Sequence, residues 1–582
     1  MKKIDNVMID KGSLNKKVEL YGWVSRKRNL GGVVFIDLRD RSGIIQLVIN
    51  PDNSNYDLAS SLKNESVIKV VGTVVSRETA NNNLKTGDIE IDVMLMELIN
   101  SSIDLPFEIS DNTTALEDTR LKYRYLDMRR QSLKNKIIER SKIMKSVRDY
   151  LDNNGFIEIE TPILCKSTPE GARDYLVPSR INKGEFYALP QSPQIFKQLL
   201  MVADFEKYYQ IAKCFRDEDL RADRQPEFSQ IDVEMSFVDQ DDVIDVCEGL
   251  IAHIFKTIKN INVKLPLKRM KYDEAIRIYG TDKPDLRFEL EIQDITNVFK
   301  KTDISFLENV IKDDGVVNAL VVNDKASDYS RKDLDKLTDF VKKYKASGLA
   351  FLKYNDSNFT GSIAKALNDY EKDSLVEKLN LKGNDLVLII SGEYNVVKSS
   401  LGALRSKLGK DLNLAKDNSY EMLWVTDFPV FEYSELEKRF IACHHPFTMP
   451  REEDIDKLLD DKKNCYAKAY DIVINGYEVG GGSIRIHDEK IQKLMFKALG
   501  FSEKEAYDKF GFLIDAFKYG TPPHGGFAIG LDRLVMLLTD TTNIRDVIAF
   551  PKTASASCLM SGAPTVVDDS QLKDLAIKII DD

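Results

Sequence analysis

The chain lacks any apolar run of the roughly 18 residues that a membrane-spanning helix needs. Its first residues, MKKIDNVMID, carry lysines with no apolar stretch behind them, so no secretory leader is expected. The six cysteines (Cys165, Cys214, Cys247, Cys443, Cys465, Cys558) are scattered, without a CxxC pair or a disulfide framework, which suits a reducing cytoplasm. The five histidines form no HExxH or other metal spacing, and only His444 and His445 are neighbours. There is no GxxxxGK[ST], hence no P-loop, and no GxGxxG, hence no ordinary dinucleotide-binding turn. Neither an internal repeat nor a low-complexity tract occurs. The net charge of −10 argues against a strongly basic surface for nucleic acid. It is a whole-chain sum, however, and a basic patch can sit on an acidic body. A cytoplasmic protein with no membrane partner is the expectation.

At 582 residues the chain is too long for one core, and about three to five domains are expected. Residues 1–103 read as five short strands, VELYGWVSRKR, VVFIDLRD, GIIQLVIN, SVIKVVGTVVSR and GDIEIDVMLMELI, punctuated by Gly, Asn and Asp. That spacing fits a small closed β-barrel of the OB type, and a generic five-stranded barrel or sandwich fits it as well. Residues 104–133 are a polar, Arg-rich connector. A long amphipathic helix follows from about 132 to 154, with Ile137, Ile138, Ile143, Met144, Val147 and Leu151 on its apolar positions and Gly155 as its stop. Strands and helices mix over 134–286 and again over 414–561. Between them, 287–413 is a lysine-rich α/β stretch that reads as an insertion. The tail, 562–582, ends in a short helix. The fold class expected is therefore α+β and multidomain.

Three stretches carry chemistry. Residues 215–235, FRDEDLRADRQPEFSQIDVEM, place a loop dense in both charge signs between strand-like ends. A solvated hairpin loop explains that density, but an Arg fork such as Arg216 also fits a phosphate bidentately. Residues 526–552, GFAIGLDRLVMLLTDTTNIRDVIAFPK, put a Gly-rich strand-to-helix turn before Asp532 and Arg533. In AYDIVINGYEVGGG the turn-prone Asn475-Gly476 suggests a hairpin that brings Asp471 and Glu478 together, a natural pair for a hard cation bridging phosphates. An exposed hairpin with one acid at each end reads equally well. Gly480-Gly481-Gly482 alone would signal only a loop. In the N-terminal segment, Arg26, Lys27 and Arg28 lead a loop, with Phe35, Gln46 and Glu90 beyond. A cation, an aromatic platform and amide or carboxylate groups are what unstacked bases require, although Phe35 could be core.

Together these stretches resemble the bacterial-type aspartate–tRNA ligases, which are subclass IIb of the class II aminoacyl-tRNA synthetases. FRDED…R.QPEF…ID.E matches class II motif 2, 526–552 resembles motif 3, and the long helix with GFIEIETPIL resembles motif 1. HIGH and KMSKS signatures are absent, which removes class I. The resemblance implies an OB-fold anticodon-binding domain, an antiparallel-sheet catalytic core and an inserted domain of the bacterial aspartate-enzyme type. It implies activation of L-aspartate with ATP and Mg²⁺, then transfer to the 3′ end of tRNA(Asp), by a homodimer with Pro162 at its interface.

Residue by residue, the resemblance puts Arg216 on the α-phosphate and Arg533 on the γ-phosphate as the catalytic cations. Asp217, Glu218, Gln225, Glu478, Gly530, Leu531 and Asp532 join them at ATP, while Asp471 and Glu478 hold Mg²⁺. For aspartate it implies Lys197 and Arg485 on the side-chain carboxylate, with Asp232 buttressing the lysine. Glu170 and Gln194 take the ammonium end, Arg216 also touches the amino acid, and His444 with His445 lies on an aspartate-responsive loop. Arg28, Leu30, Phe35, Gln46 and Glu90 would contact the anticodon, and Leu30, where relaxed relatives often carry histidine, implies strict charging. A desolvated substrate carboxylate needs fixed cations. An asparagine pocket needs no second cation, and a lysine pocket needs acids. Arg485→Leu is expected to spare the fold and cripple aspartate activation. A catalytically dead RNA-binding paralogue is the rival reading, and intact motifs 2 and 3 argue against it.

Overall fold

The computed structural model describes residues 4–168, 172–218, 224–416, 419–435 and 437–580. The chain divides into two compact units, 1–123 and 124–582.

In the first unit β1 (Lys17–Leu30), β2 (Val33–Arg39), β3 (Ile44–Ile49), β4 (Val67–Ser76) and β5 (Ile89–Asn100) close a barrel in the order β1-β2-β3-β5-β4. Strand alternation sets its two faces: Val34, Ile36 and Leu38 are buried in the barrel core, whereas Phe35 and Asp37 point outward. Phe35 is therefore not core. Gly31 and Gly32, with φ of 61° and 88°, make the two-residue β1–β2 turn that right-handed strand twist favours. The sequence placed Arg26, Lys27 and Arg28 at the head of a loop. Arg28 and Leu30 instead belong to the end of β1, paired with Phe35 and Val33. Lys27, on the opposite face, is spent structurally. Its ammonium donates to the Ser60 and Leu62 carbonyls at the end of helix α1 (Tyr56–Ser61), where helix carbonyls lack partners.

The second unit opens with the long helix α2 (Gln131–Asn153), which buries Leu133, Ile143, Val147 and Leu151 and stops at Gly155, φ 78°. Next come β6 (Ile157–Glu158), α3 (Gln194–Val202), β7 (Lys207–Phe215), β8 (Glu227–Ser236), α4 (Gln240–Lys259), β9 (Lys268–Lys271) and α5 (Tyr272–Tyr279). A separate five-stranded sheet follows: β10 (Gln293–Asp294), β11 (Val316–Val322), β12 (Ala350–Asn355), β13 (Asn358–Gly361) and β14 (Asp385–Gly392), in the order β10-β11-β14-β12-β13. Its central strand β14 is almost uniformly apolar because both faces are covered. Leu386, Leu388 and Ile390 enter one core, Val387 and Ile389 the other. Helix α6 (Tyr394–Asp411) then leads back to β15 (Met422–Thr426), β16 (Ala469–Ile474), β17 (Tyr477–Ile484), β18 (His524–Gly530) and α7 (Leu531–Leu538).

The main sheet runs β9-β15-β16-β17-β18-β8-β7-β6. It is antiparallel except at its two edges, where β9 pairs with β15 and β6 with β7 in parallel. Ile231, Val233 and Met235 of β8 pack in one core with Val147 and Leu151 of α2 and Ile244, Leu250 and Ile251 of α4. Alternation leaves Gln230, Asp232 and Glu234 on the other face, where the chemistry collects. Among the described residues no helix is long and apolar enough to cross a membrane.

Candidate active site

A cleft of about 570 Å³ opens on that face. Its floor is β17, and here the Gly480–Gly482 run is strand rather than loop. The three glycines answer to close approach. A Cβ on Gly481 would meet the Asp471 carboxylate at 2.0 Å, one on Gly482 the Gly526 carbonyl at 2.0 Å, and one on Gly480 the Ala528 carbonyl at 2.5 Å. Side chains are excluded there, so the floor stays open to a ligand.

At one end of the cleft, two cations and two acids are sealed together. Lys197, on α3 and 2% exposed, donates to Asp232 at 2.8 Å and lies 3.1 Å from Glu234. Arg485, directly after β17, grips Glu234 with two bonds of 2.9 and 3.1 Å from Nε and Nη2. Its Nη1 reaches Ser483 Oγ at 2.6 Å and His445 Nε2 at 2.7 Å. Burial opposes ionisation of Glu234, but Arg485 and Lys197 overcome it and hold the carboxyl down at about 2. Asp232 lies further from Arg485, and there burial wins and raises the carboxyl. His445 is kept neutral by burial and by the cations around it. Two fixed cations thus face the cleft, each locked in place by an acid behind it. Asp232 was legible as a buttress, but Glu234 was missed. The signal was its spacing of two from Asp232, which puts both acids on one strand face.

Toward the other end lie Arg216, Glu218, Arg224, Gln225, Asp471, Glu478, Gly530, Asp532 and Arg533. Arg216 stacks 5.2 Å over the Phe228 ring, and its Nε is buried with no partner among the described residues. Gln194 Nε2 and His444 Nδ1 are orphaned in the same way. Three buried donors without a protein partner among the described residues line one cleft, a set that suits a polar ligand. Arg533 Nη1 donates to the Glu478 carbonyl at 2.8 Å, so this guanidinium is oriented by backbone. Asp471 sits 3.7 Å from His444. Burial works against a charged His444 ring, yet Asp471 and Cys443 push it up to about 10. Glu478 is raised by burial and by Asp471 beside it. Two carboxylates that line one cleft and feel each other's charge fit a divalent cation. Among the described residues no cluster of three or more His, Cys, Asp or Glu could hold a metal alone. A cation here would need ligand oxygens besides this pair, as Mg²⁺ does when it rides on phosphates.

Several expected residues stand differently. Leu531 is fully buried in the core and does not line the cleft. The Asp532 carboxylate is committed internally: Oδ1 pairs with Arg140 of α2 and Oδ2 accepts from the Ser229 amide at 2.9 Å. The Gln225 amide bonds both ways to the Lys552 backbone, at 3.1 and 2.8 Å, and so pins the chain after α7. Asp217 is absent from the cleft lining, and its amide donates to the Arg173 carbonyl at 3.0 Å. Glu218 pairs with Arg224 at 2.8 Å. Glu170 lies outside the described residues.

On the barrel, Arg28, Gln46 and Glu90 form one outward network. Arg28 donates to Asp37 at 2.9 Å and to Gln46 at 3.0 Å, and Gln46 donates to Glu90 at 2.6 Å. Glu90 is raised by burial against the Gln46 bond. Phe35 shares that face, and Leu30 is 61% exposed beside it.

Comparison with known proteins agrees with this architecture. The family model for class II tRNA synthetases (D, K and N) matches residues 116–554, and that for the OB-fold nucleic acid binding domain matches 18–99. An aspartate–tRNA ligase of Macrococcus caseolyticus is 53% identical over 98% of this chain and 97% of its own. An aspartate–tRNA(Asp/Asn) ligase of a Geobacillus species is likewise 53% identical over 98% and 97%. The fold of asparaginyl-tRNA synthetase from Pyrococcus horikoshii, 19% identical, superposes with a TM-score of 0.60 over 95% of this chain and 98% of that one. The chain belongs to the class II tRNA synthetases and, within them, to the aspartate–tRNA ligase family.

Proposed function

We propose that the cleft activates L-aspartate with ATP and passes it to the 3′ end of tRNA(Asp). The observation that carries this reading is the sealed Lys197–Asp232–Glu234–Arg485 cluster: two immobile cations face a cleft whose other end holds Arg216 and Arg533. The aspartate side-chain carboxylate is taken by Lys197 and Arg485, and its ammonium end by Gln194 with Glu170. Asp232 and Glu234 fix the two cations. His444 and His445 close over the amino acid, with His444 charged by its contact with Asp471.

The aspartate α-carboxylate attacks the α-phosphorus of ATP in line, giving aspartyl-adenylate and pyrophosphate. No general base is needed, because the nucleophile is already ionised. Arg216 steadies the charge that grows on the α-phosphoryl oxygens, and Arg533 holds the γ-phosphate, so positioning and charge supply the rate. Asp471 and Glu478 would hold Mg²⁺, which supplies neutralisation of the phosphates when bound. A terminal ribose hydroxyl of tRNA then attacks the mixed anhydride and AMP leaves.

The barrel face formed by Arg28, Leu30, Phe35, Gln46 and Glu90 reads the anticodon, with Phe35 as the stacking platform. The chain works as a homodimer built on α2 and on the segment ending at Pro162, where Ile138, Ile157, Ile163 and Leu164 are exposed apolar side chains. We further assign residues 1–103 to anticodon binding, 104–133 to a connector, 134–286 and 414–561 to catalysis, 287–413 to an insertion and 562–582 to a C-terminal extension, in a cytoplasmic enzyme. Charging of a tRNA(Asp) transcript tests the function. Labelled aspartate should be incorporated and labelled asparagine should not, and the reverse overturns the reading.

A further inference from the structure

Segment 281–287, TDKPDLR, borders the cleft without belonging to any of the motifs above. Asp282 lines the cleft, and Lys283 Nζ stands 3.6 Å from the Glu478 carboxylate and 3.9 Å from Asp282. An isolated pair of this length at the surface would be ordinary. This segment is held too firmly for that reading. Pro284 confines the backbone of Lys283 to extended conformations. Arg287 clamps Asp285 with bonds of 3.0 and 2.7 Å. Asp285 in turn abuts the β16–β17 turn: a Cβ on Gly476 would lie 3.0 Å from the Asp285 Cβ. That turn leads directly to Glu478.

The outer anchor comes from α6, the helix that returns from the five-stranded sheet. Arg405 is 1% exposed, and its guanidinium donates only to main-chain carbonyls in the hydrogen bonds described: Asp285 at 2.9 Å, Phe288 at 3.0 Å and Leu290 at 2.9 Å. It stacks 4.8 Å from the Tyr279 ring and 4.3 Å from that of Phe288. Leu290 carries a φ of 120°, a conformation a leucine keeps only where its surroundings impose it. Gly280 and Gly402 bring α5 and α6 into contact, since a Cβ on Gly280 would meet the Lys398 carbonyl at 2.2 Å. A buried arginine spent on this backbone fixes the segment from which Lys283, 46% exposed, reaches toward Glu478 at the cleft.

We propose that Lys283 is a phosphate-binding residue of the activation step, presented to the cleft by the inserted sheet through Arg405. The inference rests on the function proposed above. Asp471 and Glu478 would hold the cation of ATP, and the Lys283 ammonium, 3.6 Å from the Glu478 carboxylate, is then the charge left for a phosphate oxygen of the nucleotide. Arg405 is a positioning residue that touches no substrate.

ATP–pyrophosphate exchange by the full-length protein tests this. Lys283→Met should raise the KM for ATP and for pyrophosphate by about tenfold, the loss of one charge-assisted phosphate contact, and leave the KM for aspartate within about twofold. Lys283→Arg should restore most of the loss. Arg405→Lys, which keeps the charge but not the fork, should shift the ATP KM in the same selective way, and if it does not fold, the Lys283 pair decides alone. An unchanged ATP KM in Lys283→Met, or equal changes for ATP and aspartate, overturns the proposal. Absence of aspartate-dependent exchange in the unaltered protein would instead overturn the function on which it rests.

Discussion

Replacing Arg485 by leucine separates what the structure requires from what the motifs alone suggested. From the motifs alone such a change is expected to spare the fold. Arg485 and Glu234 are 3% and 0% exposed, however, and their two-bond grip is the chief support of the Glu234 charge. Without it, the ion-pair partner left to Glu234 among the described residues is Lys197 at 3.1 Å, which already serves Asp232 at 2.8 Å. Removing one partner of a buried pair costs roughly 3–5 kcal/mol. Set against a total stability of about 5–15 kcal/mol, that is a large fraction. Thermal unfolding followed by circular dichroism should therefore shift down clearly, and aspartate-dependent activation should fall by about two to four decades. The pH dependence carries a second signature. Glu234 is held at about 2 against an ordinary value of 4.5, so its stabilising contribution is complete above about pH 4.5 and is lost as pH falls from there toward 2. In Arg485→Leu burial is opposed chiefly by Lys197 and raises Glu234, so the stability deficit should shrink as pH falls and the carboxyl protonates. Adding Glu234→Gln should recover stability without recovering activity. A single variant with unaltered unfolding, or with unaltered aspartate activation, would refute the reasoning.

Three further outcomes are expected. Gly481→Ala drives a methyl into the Asp471 carboxylate, 2.0 Å away, and should raise the Mg²⁺ concentration needed for exchange, whereas an unchanged Mg²⁺ titration would free Asp471 of that role. Light scattering at micromolar concentration should return about twice the chain mass, and an active monomer would contradict the proposed dimer. Leu30→His should narrow the preference for tRNA(Asp) over tRNA(Asn). The two differ at one anticodon base, for which about 1–3 kcal/mol, roughly five- to 150-fold, is the expected discrimination by analogy with DNA sites. Equal charging of both tRNAs by the unaltered protein would dismiss strictness. Relatives named for one tRNA and for both stand at the same 53% identity, so overall likeness does not decide it.

The five barrel strands, α2 and the hairpins around 215–227 and 475–476 were legible because period-two alternation, helical spacing and turn residues fix local structure. So was the gathering of Lys197, Asp232 and Arg485, which are 288 residues apart from first to last, but only through motif likeness, since no local rule joins α3 to the end of β17. What stayed hidden was set by tertiary packing. Gly480–Gly482 read as a loop because the neighbours that forbid a Cβ come from β16 and β18. Asp532 and Gln225 line the cleft, but nothing local in the sequence showed that Arg140 and the Lys552 backbone also bind them. Lys27 read as a base-facing cation, and the end of α1 takes its ammonium. Lys283 gave no signal, because what makes it more than a surface lysine is an arginine 122 residues later.

The most direct test of the central claim is ATP–pyrophosphate exchange by the purified full-length protein with aspartate, asparagine or lysine as the sole amino acid. Exchange driven by aspartate, with asparagine and lysine near background, is the result the Lys197–Arg485 pair predicts. Exchange that asparagine or lysine drives as well as aspartate does, or none with any of the three, would contradict it.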